Sequence, residues 1–315
     1  MKDAGRHFID DLLFSEQLDA LIFFGLPNIR YLCDFSGTDG ALLVTERESV
    51  FLTDSRYCEQ AQQQVKADRI ECYHKRLDTL HELCVTGKIK RLGLEADIVT
   101  VALWDELTES LAGIELIPLK DQLKSIRSVK SSSELAFLRK AADLNHEAFK
   151  TILPLIQPGV TEREIALELE ITLKRLGGEA NAFDFIVASG WRGALPHGVA
   201  SDKKISTGEL VTIDFGTRVN GYHSDETVTL GVGRCDGILR QIYDIVLKAH
   251  DLALAAVRPG ITLRDLDAVA RDHIIQKGYG SFFGHGLGHG VGLEIHEYPS
   301  VSPRGNDSIQ EGMVI

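Results

Sequence analysis

The segment GHGLGHGVGLEIHE, residues Gly284–Glu297, sets three histidines and two glutamates among five glycines. Imidazoles exchange protons and bind transition metals near neutral pH. Glycines between them leave the backbone open to close approach by a ligand or another segment. His285 and His289 are four apart, a helical spacing, but the glycines and the run VGLEI suit a loop entering a strand. A helical HExxH zinc site is therefore not the expectation. A lone histidine is usually a packing or surface residue, but three in twelve positions point to chemistry. His197, in ALPHGVASD, is a further histidine beside a glycine.

A second candidate lies in ELVTIDFGTRVNGYHSDETVTLGVG, Glu209–Gly233. Val211, Ile213 and Phe215 alternate with Thr212, Asp214 and Gly216, and Val228 and Leu230 follow on a second run, which predicts a β-hairpin. A turn between Val219 and Asn220 would set Asp214 opposite Asp225. A turn at Asn220-Gly221 would make them diagonal neighbours on one face. Either pairing brings the carboxylates within about 5–8 Å. Like charges so placed are destabilising unless compensated. A shared proton, Arg218 or a divalent cation could compensate. The bland alternative is one aspartate capping a turn and another in solvent. Aspartates with one imidazole form a hard donor set that suits manganese, cobalt or zinc.

The elements that must position these groups read as α/β. Asp19–Phe24 predicts a strand and Gly25–Asn28 a turn. Ala41–Thr45 and Ser49–Thr53 predict a hairpin, Arg56–Val65 a polar helix, Arg91–Glu95 a strand and Val101–Leu111 a helix. The polar stretch KDQLKSIRSVKSSS, 120–133, marks a boundary near residue 125, giving domains 1–124 and 125–315. Ser131 and Glu134 form a capping box before a helix over Leu135–Phe149. The second domain contains a repeat. IQPGVTEREIALEL begins at Ile156 and VRPGITLRDLDAVA at Val257, so their Pro-Gly pairs stand 101 positions apart. The same offset carries Gly177 onto Gly278. Each copy is a Pro-Gly turn, a helix opened by Thr161 or Thr262, and a glycine near the helix end. A duplicated unit with a pseudo-two-fold and a site between its halves follows.

The net charge of −12 argues against nucleic acid as a partner. The charged N-terminus lacks a signal-peptide pattern, and apolar runs such as Leu21–Phe24 are too short to cross a bilayer. The five cysteines, 33, 58, 72, 84 and 235, include no CxxC pair and read as reduced, mostly buried thiols of a cytoplasmic protein.

The ordered set PHG (196–198), IDFG, HSDET and GHGLGHGVGLEIHE resembles the Xaa-Pro peptidases, the proline dipeptidases and aminopeptidase P of the pita-bread metallopeptidase family. The likeness covers nearly the whole chain. The first part, including LTDSRY at 52–57, is similar to the creatinase/prolidase N-terminal domain. The resemblance implies two divalent metal ions, manganese or cobalt, with Asp214, Asp225 and His289 among the ligands. It implies that His197, His285 and His296 bind substrate and move protons around the scissile bond. The implied reaction is attack of a metal-activated water on the carbonyl before proline, with protonation of the leaving nitrogen. The implied partners are a proline-containing peptide or dipeptide and a second copy in a homodimer.

The family pattern is incomplete. The sequence stops at IQEGMVI, 309–315, without the two later glutamate ligands that the resemblance implies, and Glu294, Glu297 and Glu311 do not occupy the matching positions. The expectations are a shortened form of a longer chain, or a natural truncation that has lost catalysis; this chain would hold one ion or none. The alternatives to hydrolysis before proline are a non-catalytic pita-bread module that binds peptide or protein, and a creatinase-like hydrolase that uses no metal.

Overall fold

The computed structural model describes residues 3–315. The chain divides into two compact units, one running to Arg127 and the other from Ser128 to Ile315. Both are α/β, as the alternating patterns predict.

The first unit comprises α1 (Asp3–Ser15), β1 (Ala20–Phe23), α2 (Leu26–Cys33), β2 (Ala41–Thr45), β3 (Ser49–Thr53), α3 (Cys58–Gln64), β4 (Arg69–Cys72), α4 (Arg76–Thr86), β5 (Arg91–Glu95), α5 (Val101–Ser110) and β6 (Glu115–Leu119). Its mixed sheet has the order β4-β3-β2-β1-β5-β6. The wholly buried runs ALIF and SVFLT occupy interior strands. The half-exposed RIEC and ELIPL take the edges, where Pro118 costs no ladder hydrogen bond. The core beneath one face gathers Ile22, Leu43, Val50, Leu52, Leu80, Leu94 and Leu107.

Two sequence expectations fail here. The predicted turn at Gly25–Asn28 is the start of α2, with Gly25 as N-cap and Pro27 in the first turn. Its donors are satisfied from far along the chain: Glu95 accepts from the Phe24 and Gly25 amides at 2.6 and 2.7 Å and from Asn28 Nδ2 at 2.6 Å. The expectation of five reduced thiols fails at Cys58 and Cys72, which form a disulfide with Cα atoms 5.9 Å apart. The cause is topological. β4 pairs parallel to β3, with Thr53 opposite Cys72, so α3 starts beside the end of β4. Cys33 and Cys84 are buried thiols and Cys235 is half-buried. The thiol argument for a cytoplasmic location thereby lapses. Among the described residues no helix is long and apolar enough to cross a membrane.

The second unit comprises α6 (Ser132–Ile152), α7 (Glu162–Arg175), β7 (Ile186–Ser189), β8 (Leu210–Phe215), β9 (Arg218–Val219), β10 (Tyr222–His223), β11 (Glu226–Gly231), α8 (Gly237–Ala256), α9 (Leu263–Gln276), β12 (Gly288–Gly290) and β13 (Glu297–Val301). The Ser131–Glu134 capping box opens α6 as the sequence predicts. The repeat is visible bond by bond. Thr161 and Thr262 cap α7 and α9, helices of 14 residues each. Gly159 and Gly260 both have positive φ and donate to Ile205 O and Ile309 O. The amides of Glu162 and Leu263 then donate to Lys203 O and Asp307 O. Each helix packs on its own core, one built around Ile165, Leu169, Val211 and Ile213, the other around Leu263, Leu266, Ala270 and Val301.

Candidate metal centre

The second unit's sheet, β11-β8-β7, sets the geometry. Val211, Ile213 and Phe215 of β8 point into the core, so Asp214 faces the other way. Asn220 and Gly221 both take positive φ, 48° and 77°, and form the two-residue turn between β9 and β10. That choice fixes the register: Thr227 stands opposite Asp214, and Asp225 is its diagonal neighbour. Gly216 lets the strands close at this point, because a Cβ there would lie 1.9 Å from Ser224 O.

The two carboxyls lie close enough to act on each other. Burial, then the charge of Asp225, pushes the Asp214 pKa up to about 6, against a hydrogen bond from Thr227. Asp225 is also raised by burial, with His289 pulling it down. The two titrate as a pair. Asp214 Oδ1 is buried without a hydrogen-bond partner.

His289 lies in β12, a short strand paired with β13 through a bulge at His289/Gly290. A Cβ at Gly290 would meet Tyr298 O at 2.6 Å, so the bulge needs glycine. His289 Nδ1 donates to Gly290 O at 3.1 Å. That bond leaves Nε2 as the electron-pair donor, 3.5 Å from Asp225 Oδ2. The His296 ring stands edge-on to His289 at 4.2 Å between centroids. Burial lowers the His296 pKa, with His289 and His197 pushing the same way and Asp214 opposing.

Asp214, Asp225, His289 and His296 therefore stand together, and His197 lies close enough to act on His296. His197 is exposed, on the segment after β7. His285 occupies a different wall. It lines a cavity of about 520 Å³ with Thr227, Leu287 and Gly288, and so shares Thr227 with the aspartate pair.

Several residues outside the motifs hold this arrangement. Glu162 of α7, its side chain fully buried, accepts from the amides and hydroxyls of both Ser189 and Ser201 and from Arg192 Nε at 2.9 Å. It thus closes both ends of the segment that carries His197. Lys130 and Glu297 form a buried ion pair at 2.7 Å beside His296. His223 binds Gly292 O through its amide and its ring. The sequence marks none of these pairings, because each joins residues far apart in the chain.

Among the described residues, no three His, Cys, Asp or Glu side chains are grouped so as to hold a metal ion. Asp225 stands 3.5 Å from His289, and both act on Asp214. The donor types still fit a divalent cation: two carboxylates forced together, one buried oxygen lacking a partner, and one oriented imidazole nitrogen.

Comparison with known proteins decides the lineage. Residues 136–315 match the model of metallopeptidase family M24, and residues 9–129 that of the creatinase/prolidase N-terminal domain. The chain belongs to metallopeptidase family M24. The M24 chain is 37% identical over 309 residues to an Xaa-Pro dipeptidase of Pyrococcus horikoshii, covering 98% of this chain and 86% of that protein. It is similar to the solved Xaa-Pro dipeptidase of Bacillus anthracis, with a TM-score of 0.95 and 38% identity over 98% of this chain and 87% of that one. The X-Pro aminopeptidase of Thermotoga maritima follows at TM-score 0.86 and 36% identity, covering 94% and 86%. The architecture is thus a creatinase-type N-terminal domain and a pita-bread M24 domain.

Proposed function

We propose that this M24 chain is an Xaa-Pro peptidase, hydrolysing the peptide bond before proline. The observation that carries the reading is the paired Asp214 and Asp225 beside an oriented His289, in a chain whose full-length relatives include Xaa-Pro dipeptidases. A domain boundary near residue 125 places these groups in the second domain.

Asp214, Asp225 and His289 would hold a divalent metal, manganese, cobalt or zinc, which when bound acidifies water and polarises a carbonyl. The chain's own groups do the rest. The tertiary X–Pro amide has no N–H, and its nitrogen must gain a proton on leaving. The proton comes from the attacking water, so the step needs a group that accepts and returns it near pH 7. Imidazole is that group, and His197, His285 and His296 are assigned this role and the binding of the carbonyl oxygen. Thr227 steers Asp214 from the opposite strand. The open glycine backbone of Gly284–Gly292 gives an extended peptide room to lie against it.

The aspartate pair also weighs against a creatinase-like metal-free hydrolase, which has no need of it. The deciding experiment is hydrolysis of Ala-Pro against Ala-Ala by the purified protein with added manganese or cobalt. Cleavage confined to the proline substrate supports the reading; equal rates on both overturn the specificity. Longer X-Pro peptides in the same assay separate aminopeptidase from dipeptidase. The homodimer belongs to the same proposal, and sedimentation as a monomer at micromolar concentration counts against it. So does a cytoplasmic location, which recovery of tagged protein outside the cytoplasmic fraction would overturn.

A further inference from the structure

Two residues of α9 reach the glycine-rich loop from below. Asp267 is 1% exposed. It takes a two-point ion pair from Arg271, with Nε at 2.6 Å from Oδ2 and Nη2 at 2.9 Å from Oδ1. Its Oδ1 also accepts from the Leu287 amide at 2.9 Å. Arg271 spends its remaining donors on the same loop, giving Nη1 to Phe283 O at 2.8 Å and Nη2 to His285 O at 2.6 Å. Its guanidinium lies over the Phe283 ring, 4.4 Å from the centroid. The Phe283 ring in turn meets the His285 ring edge-on at 4.9 Å.

A contiguous path therefore runs from a buried carboxylate to an imidazole. Glycines at 284, 286 and 288 give the loop little side chain of its own to pack. Such a backbone gains the most freedom when unrestrained. A planar fork that binds two carbonyls and one carboxylate removes that freedom in a way a lysine ammonium cannot. His285 Nδ1 donates to Gly286 O at 2.7 Å, which fixes one tautomer and leaves Nε2 for the cavity shared with Thr227.

We propose that Asp267 and Arg271 are positioning residues that clamp the Phe283–Leu287 loop and so fix the direction and tautomer of His285. The functional meaning rests on the reading of His285 as a proton-moving imidazole. The clamp itself is a property of this chain and can be read without substrate or metal.

The test uses the 315-residue chain, isotope-labelled, at pH 8.5, where imidazoles are neutral. Imidazole nitrogen shifts report the His285 tautomer, and amide exchange reports the bond at Leu287. In Arg271→Lys the expected result is averaging of the two His285 tautomers and Leu287 exchange on the order of tenfold faster. Asp267→Asn should do the same; if it fails to fold, Arg271→Lys carries the test. His223, fixed on Gly292 O beyond the clamped Phe283–Leu287 loop, is the internal reference and should keep its signature. A folded Arg271→Lys chain with an unchanged His285 tautomer and a protected Leu287 amide overturns the proposal. So does a His223 signal that changes in step with His285, which would mean general loosening. Loss of hydrolysis in the His285→Gln protein is a separate measurement. Its failure would remove the role of His285 and leave the clamp standing.

Discussion

Asp225 stands diagonally across the ladder from Asp214, with Thr227 in the opposite place, and the two carboxyls still act on each other. Two acids so placed on a half-buried strand face oppose folding unless compensated. Asp214→Asn should therefore raise the stability of the metal-free chain at pH 7 by about 1 kcal/mol, roughly 3 °C for a unit of this size. The same variant should lose any thermal shift on adding manganese. Melting curves with and without the metal check both; a destabilised apo variant would show that the pair is compensated by other means.

The three donors make metal binding the direct test of the site. Asp214, Asp225 and His289 are side chains of the type a divalent manganese ion takes. Asp225→Asn and His289→Ala should each weaken manganese binding by at least about tenfold. Titration calorimetry measures this. Unchanged affinity in both variants would mean that other residues, Glu294 or Glu297 among them, hold the ion.

Glu162 provides a pH-dependent term away from that centre. Burial raises its pKa, but hydrogen bonds from Ser201 and Ser189 outweigh burial and the net shift is downward. A carboxyl with a depressed folded pKa contributes stability that is present above its unfolded value, near 4.5, and is lost as pH falls through the folded value. Glu162→Gln should cost about 3 kcal/mol at pH 7, since an amide NH₂ would face donors. The gap from the parent chain should narrow as melts are taken progressively below pH 4.5. A cost independent of pH would show that the charge is not what holds Ser189 and Ser201.

Lys130 and Glu297 have side chains only 1% and 4% exposed. Removing Lys130 takes from buried Glu297 a counter-ion at 2.7 Å. Lys130→Met alone should cost about 3–5 kcal/mol, and adding Glu297→Leu should recover much of it. Urea titrations of the parent, both single variants and the double variant give the coupling. A double variant as unstable as Lys130→Met would mean that the loss comes from packing alone.

The Cys58–Cys72 bond closes a loop of 14 residues, which by chain entropy corresponds to about 3 kcal/mol. Reduction should lower the melting temperature of the first unit. Thiol labelling of the unreduced, denatured chain should find three cysteines, the free ones being 33, 84 and 235. Five labelled thiols would refute the bond.

What could be read from the sequence was local. The capping box at Ser131, the Asn220-Gly221 turn, the alternation of β8 and the helix openings at Thr161 and Thr262 are all written within a few residues. So are the motifs that marked Asp214, Asp225, His289, His197, His285 and His296. Local chemistry left two registers open for the hairpin, and the positive φ of Asn220 and Gly221 chose between them. Other features depend on residues far apart in the chain. Glu95 turns an expected turn into a helix start from 70 residues away. Lys130 meets Glu297 across 167 residues. Cys58 finds Cys72 because two parallel strands bring their ends together, and Arg271 finds two loop carbonyls because α9 packs under that loop. Propensity and capping act within a turn or two of chain, so sequence determines them directly. The partner of a buried charge or thiol is set by which elements pack side by side, and that is decided only when the whole core forms.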